Sequence, residues 1–360
     1  MIDLLAGFHG SYADEDVTFL MGVVAQDFTS LSQKESLIQR GQKHYSELLS
    51  EEHVPSDRYL NLFDDAVARN GARLAHDVAV LADRLATAHP HRVCLVSLAR
   101  AGTPIGVLLR RALVRRGVSV LHASISIIAG RGIDDAALDH LRTAAGVADD
   151  EIVFVDGWTG KGVIADALHD AVVSYNAMRG AHLDDTLHVV VDLCGRSPVA
   201  ATPDDYLIPS CLLGATVSGL VSRSLLNDET RRVGPFHGCR SYPELAAADR
   251  SRAFVDVVDA LAPTSAVAAA QRDVPLERAR AGAAIAWWCA RLDLPPAHIK
   301  VGIGEATRVL LRRVPRQLVV RDLADEDVRA TLALADEKKI AVSVDATLPW
   351  AALAIIEQVA

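Results

Sequence analysis

Cysteine and long apolar runs are both scarce in this sequence, and each scarcity excludes a class of protein. The five cysteines are scattered, odd in number and contain no Cys-x-x-Cys pair, so we expect a reducing, cytoplasmic compartment rather than a disulfide framework. No apolar run reaches the ~18–20 residues that a membrane span needs, so no membrane partner is expected. The first residues lack the basic start of a signal peptide, which also argues against secretion.

Basic residues are a minority as well. The chain has 37 Lys and Arg against 46 Asp and Glu, a net charge of −9, so any contact with nucleic acid must come from a local basic patch. With 50% hydrophobic and 23% charged residues, the composition excludes a disordered or collagen-like chain. Its 360 residues are enough for two or three domains.

Alternating strand and helix patterns dominate the sequence after residue 91. Short apolar runs predict strands, and the amphipathic segments between them predict helices. The predicted strands of the first series lie at 91–98, 118–127, 151–157 and 187–193. This alternation is typical of an α/β protein with a parallel sheet flanked by helices. A second, smaller α/β pattern begins near residue 298 and ends in a predicted closing helix over 349–360.

These patterns divide the chain into four parts. Residues 57–85 have apolar side chains at helical spacing, which predicts a long helix that packs on the following domain. The parts are a helical extension (1–85), an α/β domain (86–245), a helical connector (246–295) and a small α/β domain (296–360).

A short glycine-rich loop follows the third predicted strand. The strand ends at Asp156, and the loop contains Thr159, Gly160, Lys161 and Gly162 before a helix begins. Ligands of open α/β sheets bind at this edge, and the start of a helix supplies free N–H donors for an anion. The pattern predicts a phosphate site in which Asp156 suits a sugar hydroxyl or a hydrated Mg²⁺. The alternative is a glycine-rich turn that binds nothing.

Two further loops carry an arginine beside glycine. Arg100, Ala101 and Gly102 follow the first predicted strand, and a cation with backbone donors there predicts a second anion site. Arg131 lies in a Gly-Arg-Gly segment after the second strand. This arginine could stabilise a departing anion, or it could be an ordinary surface side chain.

Basic residues concentrate near the end of the chain. Residues 300–321 contain six Lys and Arg, with Glu305 as the one acidic residue. Arg308, Arg312 and Arg316 share one face if the predicted helix continues that far. Such a stripe suits a phosphate backbone, and the alternative is a solvated charged face.

A cysteine nucleophile is a further possibility that the sequence leaves open. Cys94 and Cys289 lie in apolar runs and are expected in the core. Cys211 precedes a possible helix, and Cys239 lies close to His237 in the sequence. A reactive thiol needs a paired base, so Cys211 would qualify only if folding brings a histidine to it. No family-specific cysteine signature is present. The histidines do not show the spacing of metal ligands.

The loop at 153–162 resembles the donor loop of the type I phosphoribosyltransferases. That resemblance implies a 5′-phosphate on Thr159, Gly160, Lys161 and Gly162, and a ribose hydroxyl on Asp156. It also implies Mg²⁺ at Asp156, either directly or through water, with phosphoribosyl pyrophosphate as the co-substrate. One departure is Gly157, because most such loops carry a second acid at this position.

The same resemblance gives expected roles to three other segments. Pyrophosphate would bind Arg100, Ala101 and Gly102, and Arg131 would act in catalysis from a mobile loop that closes over the substrate. The segment 203–210 corresponds to a stretch that helps to hold the base in purine-type relatives. Its Tyr206 and Ile208 are therefore candidates for a base pocket.

The C-terminal pattern resembles the Pelota-like fold that binds kink-turn RNA. In the loop that begins at Gly302, Gly304 replaces the family's asparagine and Arg308 its lysine. The resemblance implies that Glu305 reads a base edge and Arg308 a phosphate. The candidate RNA-binding residues are Gly302, Gly304, Glu305, Arg308 and Arg312.

Nearly the whole chain resembles the StiP family of tellurium-resistance stress clusters. The matching stretches are 8–20, 34–50, 69–78, 124–134, 154–162, 204–228 and 302–315. This family is viewed as a phosphoribosyltransferase joined to a Pelota-like module, although it also bears the name cysteine protease. The resemblance implies an enzyme that transfers phosphoribosyl to a small base or nucleoside-like acceptor. A non-catalytic nucleotide sensor, an RNA-binding regulator, a protease and a homo-oligomer remain open.

Overall fold

The computed structural model describes residues 7–265, 267 and 271–358. Its strands are β1 (Thr18–Phe19), β2 (Gly22–Val23), β3 (Arg92–Ala99), β4 (Ser119–Ile128), β5 (Gly132–Ile133), β6 (Ile152–Thr159), β7 (Leu187–Asp192), β8 (Val199–Thr202), β9 (Gly238–Cys239), β10 (Ile299–Val301), β11 (Pro315–Val320), β12 (Ala341–Val344) and β13 (Ala352–Ile356). Its α-helices are α1 (Leu31–Gln39), α2 (Asp57–Ala88), α3 (Thr103–Arg115), α4 (Asp135–Thr143), α5 (Val163–Arg179), α6 (Thr230–Val233), α7 (Ser251–Ala260), α8 (Val274–Leu292), α9 (Ile303–Arg312) and α10 (Arg329–Glu337).

The main sheet has the strand order β1-β4-β3-β6-β7-β8, and all of these neighbours are parallel. Strand β3 lies in the middle, where Leu95 pairs with His122 on one side and with Val153 on the other. Its apolar run is buried on both faces, as parallel sheets require. Strand β5 adds a short antiparallel pair to β4. The predicted α/β class, a parallel sheet flanked by helices, is confirmed.

Alternate residues of each strand pack into two separate cores. Leu95 of β3 faces the core that contains α2, α3 and α7, whereas Val96 faces the core that contains α4 and α5. Helix α2 begins at the cap Ser56, whose side chain accepts from the backbone N–H of Tyr59, and it continues for 32 residues. Helix α7 packs against α2 and α3, so the start of the predicted connector belongs to this layer. Residues 266 and 268–270 of the connector lie outside the described residues.

The N-terminal part is less purely helical than expected. Strand β1 extends the main sheet at its edge, and β2 pairs with β9 from residues 238–239. Two-residue strands carry too little periodicity to be seen in a sequence, because a strand pattern needs 4–8 alternating residues.

The small C-terminal domain contains a four-stranded sheet with the order β10-β13-β11-β12. Its closing segment was expected to be a helix over 349–360, and that prediction is wrong. Residues 352–356 form strand β13, which is antiparallel to both β10 and β11 and is buried along its whole length. A short apolar run that is buried on all sides has no period that separates helix from strand, which explains the error. Residues 359–360 of the predicted helix lie outside the described residues.

The C-terminal domain packs against the carboxyl ends of the main-sheet strands. Asp205 accepts hydrogen bonds from the backbone N–H groups of Ile303 and Ala351, both at 2.9 Å. Trp350 donates its Nε1–H to the carbonyl of Leu193 at 3.0 Å. These contacts bring the start of α9 to the edge where ligands of α/β sheets bind. Among the described residues, no helix is long and apolar enough to cross a membrane.

Candidate active site

Asp156 lies within β6, three residues before the end of the strand, and is only 8% exposed. Its Oδ1 accepts a hydrogen bond of 2.7 Å from the backbone N–H of Gly157. Burial raises the pKa of Asp156 to about 7, and the nearby Glu305 adds to the rise while Arg308 opposes it. The carboxyl group is therefore poised between its neutral and ionised forms near neutral pH.

The Arg100–Gly102 loop lies directly against this strand end. A Cβ on Gly102 would be 2.6 Å from the carbonyl oxygen of Val155 and 3.1 Å from Cα of Asp156. Only glycine permits so close a backbone approach. The peptide bond between Ala99 and Arg100 is cis. The structure thus brings together two of the loops that were expected to bind anions.

The Arg100 side chain turns toward the N-terminal part. It donates to the carbonyl of Val221 at 2.6 Å and forms an ion pair of 2.5 Å with Glu52. Burial would raise the pKa of Glu52, but the charges of Arg100 and Arg312 outweigh this effect and lower that pKa. Glu52 therefore stays ionised and balances the charge of Arg100.

The predicted phosphate loop is covered by the C-terminal domain. A Cβ on Gly160 would be 3.3 Å from the carbonyl oxygen of Val301, and Gly162 has a positive φ of 86° at the start of α5. The Lys161 ammonium donates to the carbonyl of Pro296. Burial, together with Lys300, lowers the pKa of Lys161 to about 8. Strand β6 continues through Thr159, so the loop is shorter than expected, and its lysine points at the neighbouring domain.

The residues expected to bind RNA face the α/β domain. A Cβ on Gly304 would be 3.1 Å from Sγ of Cys211 and 3.1 Å from the indole of Trp158. The Trp158 Nε1–H donates to Glu305 at 3.4 Å, and Arg308 lies 5.1 Å from the Trp158 ring centroid. Glu305 and Arg308 also form an ion pair of 3.0 Å. In this arrangement the loop that begins at Gly302 is covered by the candidate active site.

The three-arginine stripe differs from the expectation. Helix α9 ends at Arg312, and Arg316 lies in strand β11, which starts at Pro315. A proline is tolerated at the start of a strand but not inside a helix, so the helix cannot continue to Arg316. Arg312 donates to the carbonyl of Leu213 at 3.2 Å, within the α/β domain. The stripe is therefore split between the domain contact and the surface, and it is not a solvated face.

A narrow cavity lies between the two domains beside Arg100. It is lined by Arg100, Ala101, Pro104, Trp158, Ser210, Cys211, Leu213, Val217, Ser218, Arg308 and Arg312. The cavity volume open to a water-sized sphere is about 20 Å³, which is enough for about one water molecule. A groove of about 940 Å³ lies next to it and shares Arg100, Leu213 and Arg312.

The loop that carries Arg131 is tied down away from this cavity. Arg131 donates to the carbonyl of Leu226 at 2.9 Å and forms an ion pair with Glu47. The Tyr45 hydroxyl accepts from the N–H of Ala129 at 2.8 Å. The structure therefore does not bring Arg131 to Asp156 in this arrangement.

Tyr206 and Ile208 are buried and line neither the cavity nor the groove. The Tyr206 hydroxyl donates to Asp77 at 2.9 Å, and Arg73 lies 4.1 Å from the Tyr206 ring centroid. Both partners belong to α2, so the tyrosine packs against that helix. A buried aromatic with a bonded hydroxyl is the usual arrangement in a core.

Several residues at the site were not singled out from the sequence. Glu52 and Ser210 come from irregular segments that carry no periodic signal. Trp158 belongs to the segment 153–162. An aromatic residue at this position was the one sequence feature that could have indicated a domain packed over the phosphate loop. Asp205 lies in the segment 203–210 but was given no role of its own, because its partner Ile303 is 98 residues away in the sequence.

Asp156 is the carboxylate that the sequence assigned to Mg²⁺, whereas Asp192, at the end of β7, is paired with Arg272. The described residues contain no group of three or more His, Cys, Asp and Glu side chains that could hold a metal. Mg²⁺ commonly keeps several waters and binds through one or two carboxylates plus substrate phosphates. Asp156 fits an ion that arrives with a phosphorylated ligand, and not a resident metal.

Four of the five cysteines lack the surroundings of a nucleophile. Cys94, Cys194, Cys211 and Cys239 are buried, and burial raises the pKa of each thiol above its usual value. No hydrogen bond joins Cys211 to a histidine within the part of the chain that the structure describes. A thiol that is kept neutral and unpaired is a poor nucleophile.

Comparisons with known proteins agree with the end-to-end resemblance. Residues 10–259 match the family model "Tellurite-like stress resistance cysteine protease StiP", and residues 295–358 match the "PELOTA RNA binding domain". A curated relative from Acinetobacter baylyi, "Cysteine protease StiP", is 38% identical over 99% of this chain and 96% of its own length.

Two solved structures match about half of the chain at low identity and with low TM-scores. The hypoxanthine phosphoribosyltransferase of Trypanosoma cruzi is 16% identical, with a TM-score of 0.29 over 48% of this chain and 93% of that chain. Its complex with the product IMP gives 16% identity and a TM-score of 0.30 over 49% and 92% of the two chains. The family match covers most of the chain and the relative covers nearly all of it, and the chain therefore belongs to the StiP family.

Proposed function

We propose that this protein is a phosphoribosyltransferase that uses phosphoribosyl pyrophosphate and Mg²⁺ to make a nucleotide- or nucleoside-like product in a stress response. The observation that carries the proposal is the contact of Gly102 with Val155, which sets the Arg100–Gly102 loop beside Asp156. Both loops lie at the carboxyl edge of one parallel sheet, where α/β proteins bind their ligands. The buried cysteines suit the reducing cytoplasm as the place of action.

The chemistry assigned to these residues is mainly positioning. The backbone N–H groups of 159–162 and the start of α5 would hold the 5′-phosphate. Asp156 would accept a hydrogen bond from a ribose hydroxyl. The N–H groups of the Arg100–Gly102 loop would hold pyrophosphate, and Arg131 would help to stabilise its charge once its loop releases Glu47. Bound Mg²⁺ would supply positive charge to the leaving group. Loss of pyrophosphate builds positive charge on the ribose, so the protein's task is to hold donor and acceptor in line.

The closed phosphate loop adds a condition to this function. Val301 and Glu305 lie over Gly160, so a 5′-phosphate reaches the loop only if the C-terminal domain shifts. Donor binding is therefore coupled to a movement between the domains in this proposal.

The experiment that tests the proposal is isothermal titration of phosphoribosyl pyrophosphate with Mg²⁺ into the wild type and Asp156→Asn. We expect micromolar-range binding and at least a tenfold loss in the variant, about 1.4 kcal/mol. Binding that ignores the substitution, or no binding to folded wild type, would overturn the proposal. A screen of bases for pyrophosphate release then separates an enzyme from a nucleotide sensor that only binds.

RNA binding by the C-terminal domain is a second candidate, and the match of residues 295–358 to an RNA-binding model favours it. Because Glu305 and Arg308 face Trp158, RNA could reach them only after the domains separate. A kink-turn RNA is titrated into the wild type and Arg308→Gln at several salt concentrations. Equal affinity of the two proteins would remove this site from consideration.

A further inference from the structure

The groove and the narrow cavity meet at a cluster of arginines contributed by both domains. Arg100 and Arg312 line both spaces, and Arg308 lines the cavity. Arg100 comes from the α/β domain, whereas the other two come from helix α9 of the C-terminal domain. Three guanidinium groups thus converge at one junction.

The carboxylates near this junction do not balance the charge. Glu52 pairs with Arg100, and Glu305 pairs with Arg308. Arg312 forms no ion pair with any residue in the described ranges, and its one hydrogen bond goes to the carbonyl of Leu213. Burial and the neighbouring Arg100 lower the pKa of Arg312 to about 9, as expected for a crowded cation. An uncompensated, partly buried charge is unfavourable unless an anion meets it.

Ser210 provides an independent sign of a missing partner. Its side chain is only 8% exposed and lines the cavity, and its Oγ has no hydrogen-bond partner among the described residues. Leaving a buried hydroxyl without a hydrogen-bond partner is unfavourable. A ligand oxygen in the cavity would accept a hydrogen bond from this hydroxyl.

We infer that this junction binds the oxyanion group, phosphate or pyrophosphate, of a small molecule. One of its oxygens occupies the narrow cavity beside Arg308 and Ser210, and the rest lies at the mouth of the groove beside Arg312 and Arg100. The body of that molecule lies in the adjacent groove, whose volume of about 940 Å³ is ample for a nucleotide-sized ligand. The C-terminal domain thereby completes the ligand site of the α/β domain. This inference rests on the proposed function in one respect: it assumes that the oxyanion belongs to the donor or to the acceptor.

The test is titration of inorganic pyrophosphate into the full chain, without Mg²⁺ and without donor. We expect the wild type to bind and Arg312→Gln to lose at least tenfold in affinity, because it removes the unpaired guanidinium. Arg312→Lys should lose less, since it keeps the charge, and Ser210→Ala should lose about threefold. The matched control is Arg316→Gln, an exposed arginine of the same domain, which should bind like the wild type.

Thermal melting of each variant checks that it is folded. Affinity in folded Arg312→Gln equal to that of the wild type would overturn the inference. So would an equal loss in Arg316→Gln, because the effect would then reflect net charge alone. A wild type that does not bind pyrophosphate would also overturn it.

A competition arm distinguishes the source of the oxyanion. Saturating phosphoribosyl pyrophosphate should prevent pyrophosphate binding if the junction holds the donor's own pyrophosphate. If both bind together, the junction holds an anionic acceptor. The two proposals also fail separately, since donor binding is tested through Asp156 and pyrophosphate binding through Arg312.

Discussion

Gly160 of the phosphate loop lies against Val301 of the C-terminal domain. A Cβ on Gly160 would be 3.3 Å from both the carbonyl oxygen and Cγ2 of Val301. The two domains therefore meet at the loop that was expected to receive a phosphate. An apolar residue and a backbone carbonyl stand where an anion would approach, so this arrangement is closed with respect to the donor.

The close approach of Gly102 makes the Arg100–Gly102 loop sensitive to one methyl group. In Gly102→Ala the new Cβ would be 2.6 Å from the Val155 carbonyl oxygen, so the loop must move away from β6. We expect a loss of about 1–3 kcal/mol in the free energy of unfolding, measured by urea denaturation. Donor affinity should fall as well. The matched control is Gly282→Ala, because a Cβ there meets nothing within 4 Å and its backbone has no positive φ. Normal stability and affinity of Gly102→Ala would contradict the described contact.

The raised pKa of Asp156 predicts how stability depends on pH. In the folded chain this pKa is about 7, above the value of about 3.9 expected when unfolded, so the neutral form is favoured by folding. Its contribution is fully present below pH 4 and is lost as the pH rises through 7. Asp156→Asn should therefore be more stable than the wild type by about 2–4 kcal/mol at pH 8, with a smaller difference at pH 4. Urea denaturation at the two pH values measures this, and a difference independent of pH would contradict the burial of the carboxyl group.

The same pKa predicts the pH dependence of donor binding. An ionised Asp156 accepts a hydrogen bond from a ribose hydroxyl and attracts Mg²⁺. The affinity for the donor with Mg²⁺ should therefore rise as the pH increases from 6 to 8. Isothermal titration at three pH values provides the measurement. Asp156→Asn, which cannot ionise at this position, should show a smaller rise than the wild type, because the donor's phosphate and Lys161 still titrate over this range.

Tyr206 distinguishes a core role from a base pocket. Tyr206→Phe removes the hydrogen bond to the buried Asp77, and we expect a loss of about 1–3 kcal/mol in the free energy of unfolding. Pyrophosphate binding should not change, since Tyr206 lines neither the cavity nor the groove. A folded, stable variant that instead loses affinity for an identified acceptor base would restore Tyr206 to the base pocket.

Because the curated relative is named a cysteine protease, Cys211 has to be tested as a nucleophile. Its thiol is buried, its pKa is raised by that burial, and Gly304 packs against it. We expect the wild type to show no hydrolysis of casein or of a peptide library, and Cys211→Ser to retain donor binding. Peptide hydrolysis that disappears in Cys211→Ser would establish the protease in place of the transferase.

The parts of the fold that could be predicted carry local signals. Strands β3, β4, β6 and β7 are apolar runs, and the glycines and charges at their ends mark the loops. The domain contact could not be predicted, because it depends on pairs such as Asp205 with Ile303 and Trp350 with Leu193, 98 and 157 residues apart. The basic residues of α9 gave the same signal whether they faced solvent or a neighbouring domain. Their periodicity shows which side chains share a helix face but not what that face contacts.

The contact of Arg131 with Glu47 predicts how the loop at 129–134 is released. The hydrogen bonds from Lys43 and Arg131 lower the pKa of Glu47 to about 2, so the ion pair is present at neutral pH. In Glu47→Gln this pair is lost, and amide hydrogen exchange within 129–134 should become faster while exchange in β6 stays unchanged. Glu244→Gln serves as a control, because it removes an exposed carboxylate that pairs with Arg240 instead. If a closing Arg131 contributes to pyrophosphate release, Glu47→Gln should also alter the rate of that release. Unchanged exchange would show that Tyr45 and His44 hold the loop without the ion pair.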